Sequence, residues 1–226
     1  PSRTVIWSTV SFAGRTRREN GDRWWTWYRW IPSRYLKQLS IVFSEQATHG
    51  HFSLDVGGTV FKQTAPVIKL VGSANVSDHL GLLELLNSST ICFWLRQVTL
   101  PKGTELGWES RMVIDGSKLA RLPLPRGQLE GLYARTLDEA ARVHESCSPK
   151  AVVLLSALTA QRLESSRQQF DGTFSQMIAA QEELDWYVYG LYDLVEEDFT
   201  FPLDEVPPVA LGAVEQDSSS KARTTM

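Results

Sequence analysis

The sequence predicts an α+β fold: a domain built on small mixed sheets, followed by a helical arm that ends in a long helix. Three observations predict it. Short strand-like runs bounded by glycine and proline occupy residues 40–71. Helical periodicity takes over after Gly131. Phe170, Phe174, Met177, Gln181, Leu184, Val188, Leu191 and Val195 then alternate spacings of four and three, the seam of a coiled-coil-like helix.

Along the chain, residues 1–39 are aromatic and basic, and they show neither a helical nor an alternating period, so short strands and loops are expected. Ser40–Phe43 is an apolar strand. Residues 51–56 alternate, with Phe52 and Leu54 on one face. Gly57 and Gly58 make a turn, and residues 59–61 return to close a hairpin. Residues 66–71 form another strand. Ser77 or Asp78 caps a helix carrying Leu80, Leu83 and Leu86, which stops near Asn87. Ser88 or Ser89 caps a second helix with Ile91, Trp94, Leu95 and Val98. Residues 99–110 are loop, 111–114 strand, and 122–126 extended, because each proline bars its predecessor from the helical region. Thr136 caps a helix through Cys147, which Pro149 interrupts, and a long helix runs from about Thr159 to Leu194. The tail from Asp204 has the composition of a disordered segment. The expected organisation is a domain over 1–130, a helical arm over 131–200 and a loose tail over 201–226.

Charge is strongly graded. Residues 1–40 carry +6, residues 41–126 carry +1 and residues 127–226 carry −10, although the whole chain is only −3. A basic leading segment suits a phosphate backbone, and an acidic trailing one repels it. The basic candidates are Arg15, Arg17, Arg18, Arg23 and Arg29. Trp24, Trp25 and Trp27 lie among them and could stack on exposed bases. Two readings stay open for this cluster: a base-stacking surface, or a tryptophan core rimmed by arginine.

Several functions are disfavoured. The chain has no glycine-rich dinucleotide or Walker loop and no serine elbow. Its Pro207-Pro208 pair is followed by Val209, without the asparagine and tyrosine that flank such a pair in amino-methyltransferase sites. Two cysteines cannot make a disulfide scaffold, and there is neither a long apolar run nor a leader, so a cytoplasmic location is expected. His49 and His51 would share a face if they lay in a strand, with Glu45 and Asp55 nearby. This is the basis of one alternative, a small metal-dependent enzyme; without a well-spaced third ligand, the expectation is no metal. Thr48, His49, His51 and Lys62 are second-rank candidates for nucleic-acid contact.

Recognition goes further than composition. ATHGHFSLDVGGTVFKQTAPVIKL at 47–70, LLELLNSSTICFWLRQ at 82–97, GSKLARLPLP at 116–125 and QEELDWYVYGLY at 181–192 resemble, in this order, blocks of PglX-type adenine-specific DNA methyltransferases of BREX phage-defence systems. Related single-chain restriction-modification enzymes end in a helix similar to the last block. The loop at 99–110 departs from the family's asparagine-, lysine- and glycine-rich form. The resemblance implies the DNA target-recognition part and closing helices of such an enzyme, without the catalytic domain that binds S-adenosylmethionine and methylates adenine N6. It implies no catalytic residue and no cofactor in this chain. The implied partners are double-stranded DNA, a methyltransferase domain in cis or trans, and other defence-system proteins. The other alternative is a stand-alone specificity subunit or an interaction protein of a defence complex.

Overall fold

The computed structural model describes residues 8, 14–23, 25, 39–62, 64–72, 74–103, 109–127, 129–154 and 158–207. The chain divides into two units, Pro1–Gln38 and Leu39–Met226. The second is α+β. Its strands are β1 (Ser40–Phe43), β2 (Gln46–Ala47), β3 (Phe52–Asp55), β4 (Val67–Ile68), β5 (Pro101–Lys102) and β6 (Arg111–Val113). Its helices are α1 (Val76–Leu86), α2 (Ser89–Val98), α3 (Gly116–Leu119), α4 (Leu132–Ser146), α5 (Pro149–Leu154) and α6 (Ala160–Leu191).

The strands form two antiparallel sheets, ordered β3-β1-β4 and β2-β6-β5. Ile41 and Phe43 of β1 are buried and Val42 is half-buried, so this short apolar strand suits a central position. It therefore pairs on both sides, with β3 (Phe43 opposite Phe52) and with β4 (Ile41 opposite Ile68). The hairpin expected over residues 51–61 does not form. Gly57 and Gly58 do turn the chain, at φ 109° and 86°, but residues 59–61 make no strand and Val60 stays exposed. The strand expected over 66–71 contracts to β4.

Helix boundaries follow capping chemistry. Asn75, rather than Ser77 or Asp78, caps α1. Its side chain accepts from the Asp78 N–H, and the Asp78 carboxylate accepts from the Asn75 N–H, a capping box displaced by two or three residues from the expected cap. The Ser88 hydroxyl accepts from the Ile91 N–H and caps α2, as expected. Helix α4 starts at Leu132, four residues before Thr136, with Gly131 at the cap and no side-chain cap of its own. Glu84 of α1 substitutes. Its buried carboxylate accepts from the N–H groups of Gly131 (2.9 Å), Tyr133 (2.5 Å) and Ala134 (3.3 Å). This satisfies three donors that the first turn of a helix leaves open. Close approach at this joint requires glycine: a Cβ on Gly81 would lie 2.7 Å from Leu129 Cβ, and one on Gly131, at φ 75°, would lie 2.6 Å from Leu80 Cβ.

The core joins both sheets to α1, α2, α4 and α6 through residues such as Ile41, Phe52, Leu85, Leu95, Tyr133 and Leu184. It thus crosses residue 130 without a break. Helix α6 is 32 residues long, about 48 Å, and packs along α4 and against α2. Its inward stripe runs Thr173, Ala180, Leu184 and Val188, whereas Phe174 of the expected seam is 45% exposed. A straight helix drifts relative to a 3.5-residue repeat, so the buried line follows the 3.6-residue period instead. Leu184 and Val188 are wholly buried, so the middle of the seam is occupied within this unit. Carboxylates of α6 also hold neighbours: Asp185 accepts from the Ser89 N–H at 2.7 Å and Glu183 from the Phe201 N–H at 2.7 Å. The chain after α6 therefore folds back at least as far as Leu203, which packs on the core. The rest of the expected tail, residues 208–226, lies outside the described residues. No helix among the described residues is long and apolar enough to cross a membrane.

Candidate nucleic-acid interface

In the first unit, residues 14–22 form a compact turn. Thr16 and Glu19 bond reciprocally, the Thr16 N–H to the carboxylate at 2.7 Å and the Glu19 N–H to the hydroxyl at 3.1 Å. The Thr16 N–H holds the Glu19 carboxyl below the usual carboxylate range. Arg17 is buried, and its Nε lies 3.1 Å from the Asp22 carboxylate. Arg15, Arg18 and Arg23 are exposed. The Arg23 guanidinium stands 5.3 Å from the ring centroid of Trp25, whose side chain is 51% exposed. That is a cation–π pair with aromatic surface still open to water. Arg29, Trp24 and Trp27 lie outside the described residues.

In the second unit, Thr48, His49, Gly50 and His51 form a bend between β2 and β3. The histidines are therefore not in a strand, yet their rings remain neighbours, 6.1 Å apart and edge to face, and both side chains are exposed. Thr48 Oγ1 lies 2.8 Å from His49 Nδ1, which fixes the ring on its neighbour. Among the described residues, no group of three histidine, cysteine or acidic side chains could hold a metal ion, so His49 and His51 have no such cluster around them. Lys62 is exposed in the turn before β4, where its carbonyl accepts from the Ala65 N–H.

This bend is held from beneath by residues that sequence reasoning did not select. Arg96 of α2 donates through one nitrogen to the Thr48 carbonyl and through another to the Ser110 carbonyl at 3.1 Å, tying the bend to the start of β6. The Asn87 amide clamps Phe52 twice, accepting from its N–H at 3.1 Å and donating to its carbonyl at 3.0 Å. Gln181 of α6 donates to the Asn87 carbonyl at 3.3 Å. A Cβ on Gly50 would come within 3.3 Å of the Leu86 carbonyl oxygen, so glycine lets the bend lie on the end of α1. Nothing local in the sequence marks Arg96 as a partner of residue 48; the contact exists only after α2 has packed.

Two exposed cations were also missed. Lys102 of β5 and Arg111 of β6 are direct cross-strand partners. Reading 99–110 as a loop concealed the pairing, although Gly103 and Gly107 between two short runs are a hairpin signal.

Comparison with known proteins gives one significant relative among curated sequences. The chain is 38% identical over 94% of its length to the adenine-specific methyltransferase PglX of Streptomyces coelicolor, and it spans 19% of that protein. No protein-family description matches the chain. No solved structure gives a significant match.

Proposed function

We propose that this chain reads DNA sequence for an adenine-specific methyltransferase like the PglX it resembles, and that the methyl donor and the target adenine are handled by a catalytic domain outside the span matched here. The carrying observation is the similarity itself, 38% identity across nearly the whole chain to about a fifth of an adenine-specific methyltransferase. The surface chemistry supports it. Arg15, Arg18, Arg23 and Lys62 are exposed and suit phosphate contacts, while Thr48, His49 and His51 offer hydrogen-bonding groups for sugar or base edges. Trp25, held by Arg23, offers a stacking face, and Arg29, Trp24 and Trp27 belong to the same proposal.

The reading assigns no cofactor to this chain: S-adenosylmethionine belongs to the catalytic domain, and double-stranded DNA and that domain are the partners. The compartment is the cytoplasm, where the DNA is. The test is an exchange of modules. Fusing the catalytic domain of a relative ahead of this chain is expected to methylate adenine at one defined sequence. Replacing the chain by the corresponding span of another relative is expected to change that sequence and leave the reaction unaltered. Two active hybrids that methylate the same site would place specificity in the catalytic domain and defeat the proposal. Calorimetric titration of the chain alone with S-adenosylmethionine is expected to give no heat of binding; tight binding would do equal damage.

A further inference from the structure

The β2-β6-β5 sheet has one face in the core and one open. Ala47 and Met112, directly opposite each other, are buried at 8% and 2% exposure. Side chains alternate across a strand, so Arg111 lies on the other face, and Lys102 opposite it is exposed as well. Thr48 follows Ala47 and stands one register step further along, level with Arg111. The open face thus carries a row of Thr48, Arg111 and Lys102, with His49 next in the chain.

Two like charges directly opposite on neighbouring strands destabilise a sheet. Neither Lys102 nor Arg111 has an acidic partner among the described residues, where the ion pairs are Arg17–Asp22, Arg142–Asp138 and Arg167–Asp171. Among the described residues, nothing offsets this juxtaposition. The row is nevertheless held firmly. Met112 anchors β6 in the core, and Arg96 fixes the backbone on both sides of the row through the Thr48 and Ser110 carbonyls. A rigid row of two cations beside a hydroxyl and an imidazole is complementary to a run of phosphates.

Building on the DNA-reading proposal above, we infer that this row is a phosphate-backbone contact site for double-stranded DNA, with Lys102 and Arg111 as charge contacts and Thr48 and His49 as hydrogen-bonding ones. It lies in the second unit, apart in sequence from the arginines of residues 15–29. Glu109 is exposed just ahead of β6 and weakens the local field.

The test uses the full chain and a labelled mixed-sequence duplex, with affinity measured by fluorescence anisotropy across a salt series. Lys102→Ala with Arg111→Ala is expected to bind about tenfold more weakly at low salt and to flatten the log–log salt slope by about 1.8 units, two contacts' worth. Lys102→Arg with Arg111→Lys should keep the slope. Neither variant should melt below wild type, because the changed side chains are exposed and the alanine pair relieves a like-charge juxtaposition. If the wild type binds duplex and the alanine pair leaves its slope unchanged, the row is not a DNA contact, while the wider reading stands. If the wild type shows no duplex binding at low salt, both fall. A loss seen on a polyaspartate probe but not on the duplex assigns the row to an acidic protein and overturns the inference.

Discussion

Arg15 and Arg17 stand two residues apart, and the turn that holds them separates their roles. Arg17 points into its unit and pairs with Asp22, while Arg15 is exposed. Arg17→Ala is expected to cost about 1–2 kcal/mol, less than a fully buried pair, because the Asp22 side chain is 38% exposed. Arg15→Ala is expected to leave the melting temperature unchanged and flatten the salt dependence of duplex binding by about 0.9 units. Melts and salt titrations on both variants separate the two roles. In the sequence the two arginines are indistinguishable: charge is legible there, and burial is not. Glu84 makes the same point from the acid side, since nothing in a leucine-rich helix marks it as the cap of another. Burial pushes its carboxyl above the usual carboxylate range, against the opposing pull of the Gly131, Ala134 and Tyr133 N–H groups. A raised acid pKa adds stability that is full below the unfolded pKa and is lost as pH rises through the folded one. Wild type should therefore gain on Glu84→Gln as pH falls from neutral towards the ordinary carboxylate range, read as the difference between their melting curves. A gap that is constant with pH would show that Glu84 does not titrate between these limits.

At the scale of elements, α6 separates period from contact. The sequence seam treats Phe174 and Leu184 alike, but the helix buries Leu184 completely and leaves Phe174 45% exposed. Leu184→Asp is expected to cost about 3–5 kcal/mol, as an unpaired buried charge does, and Phe174→Asp less than about 1 kcal/mol. Thermal melts check both, and equal losses would mean that α6 does not pack as described. The elements that were legible are those whose signal is local: the apolar β1, the Ser88 cap of α2, and the start of α6 near Thr159, whose hydroxyl accepts from the Arg162 N–H. Those that were misread depend on partners far along the chain. The partner of β3 is β1, across the bend, rather than residues 59–61 across two glycines. The start of α4 is set by a carboxylate 47 residues away from Gly131. Pro149, read as an interruption, opens α5, as suits a residue whose fixed φ fits a helix's first turn. The His49–His51 pair was legible as a motif, but neither the bend that carries it nor its support by Arg96, Asn87 and Gln181 was.

For the whole molecule, the continuous core bears on where the chain can be cut. Residue 130 was the expected boundary between domain and arm, yet Tyr133, Leu184 and Val188 share one core with Ile41 and Phe52. A chain ending at residue 130 should lose its cooperative melt and be cleaved quickly by protease; a sharp transition in that fragment would show that residues 39–130 stand alone. The Glu84 joint also bears on inheritance. A donor carboxylate on one side of residue 130 and the helix it caps on the other form a pair that recombination can divorce. Where parental genes differ at Leu80, Gly81 or Glu84, or at Leu129 or Gly131, a breakpoint between them yields offspring with a mismatched joint. Breakpoints that survive in nature should therefore cluster outside residues 80–134, and exchanges between lineages should carry the sheets and the closing helices together as one heritable block.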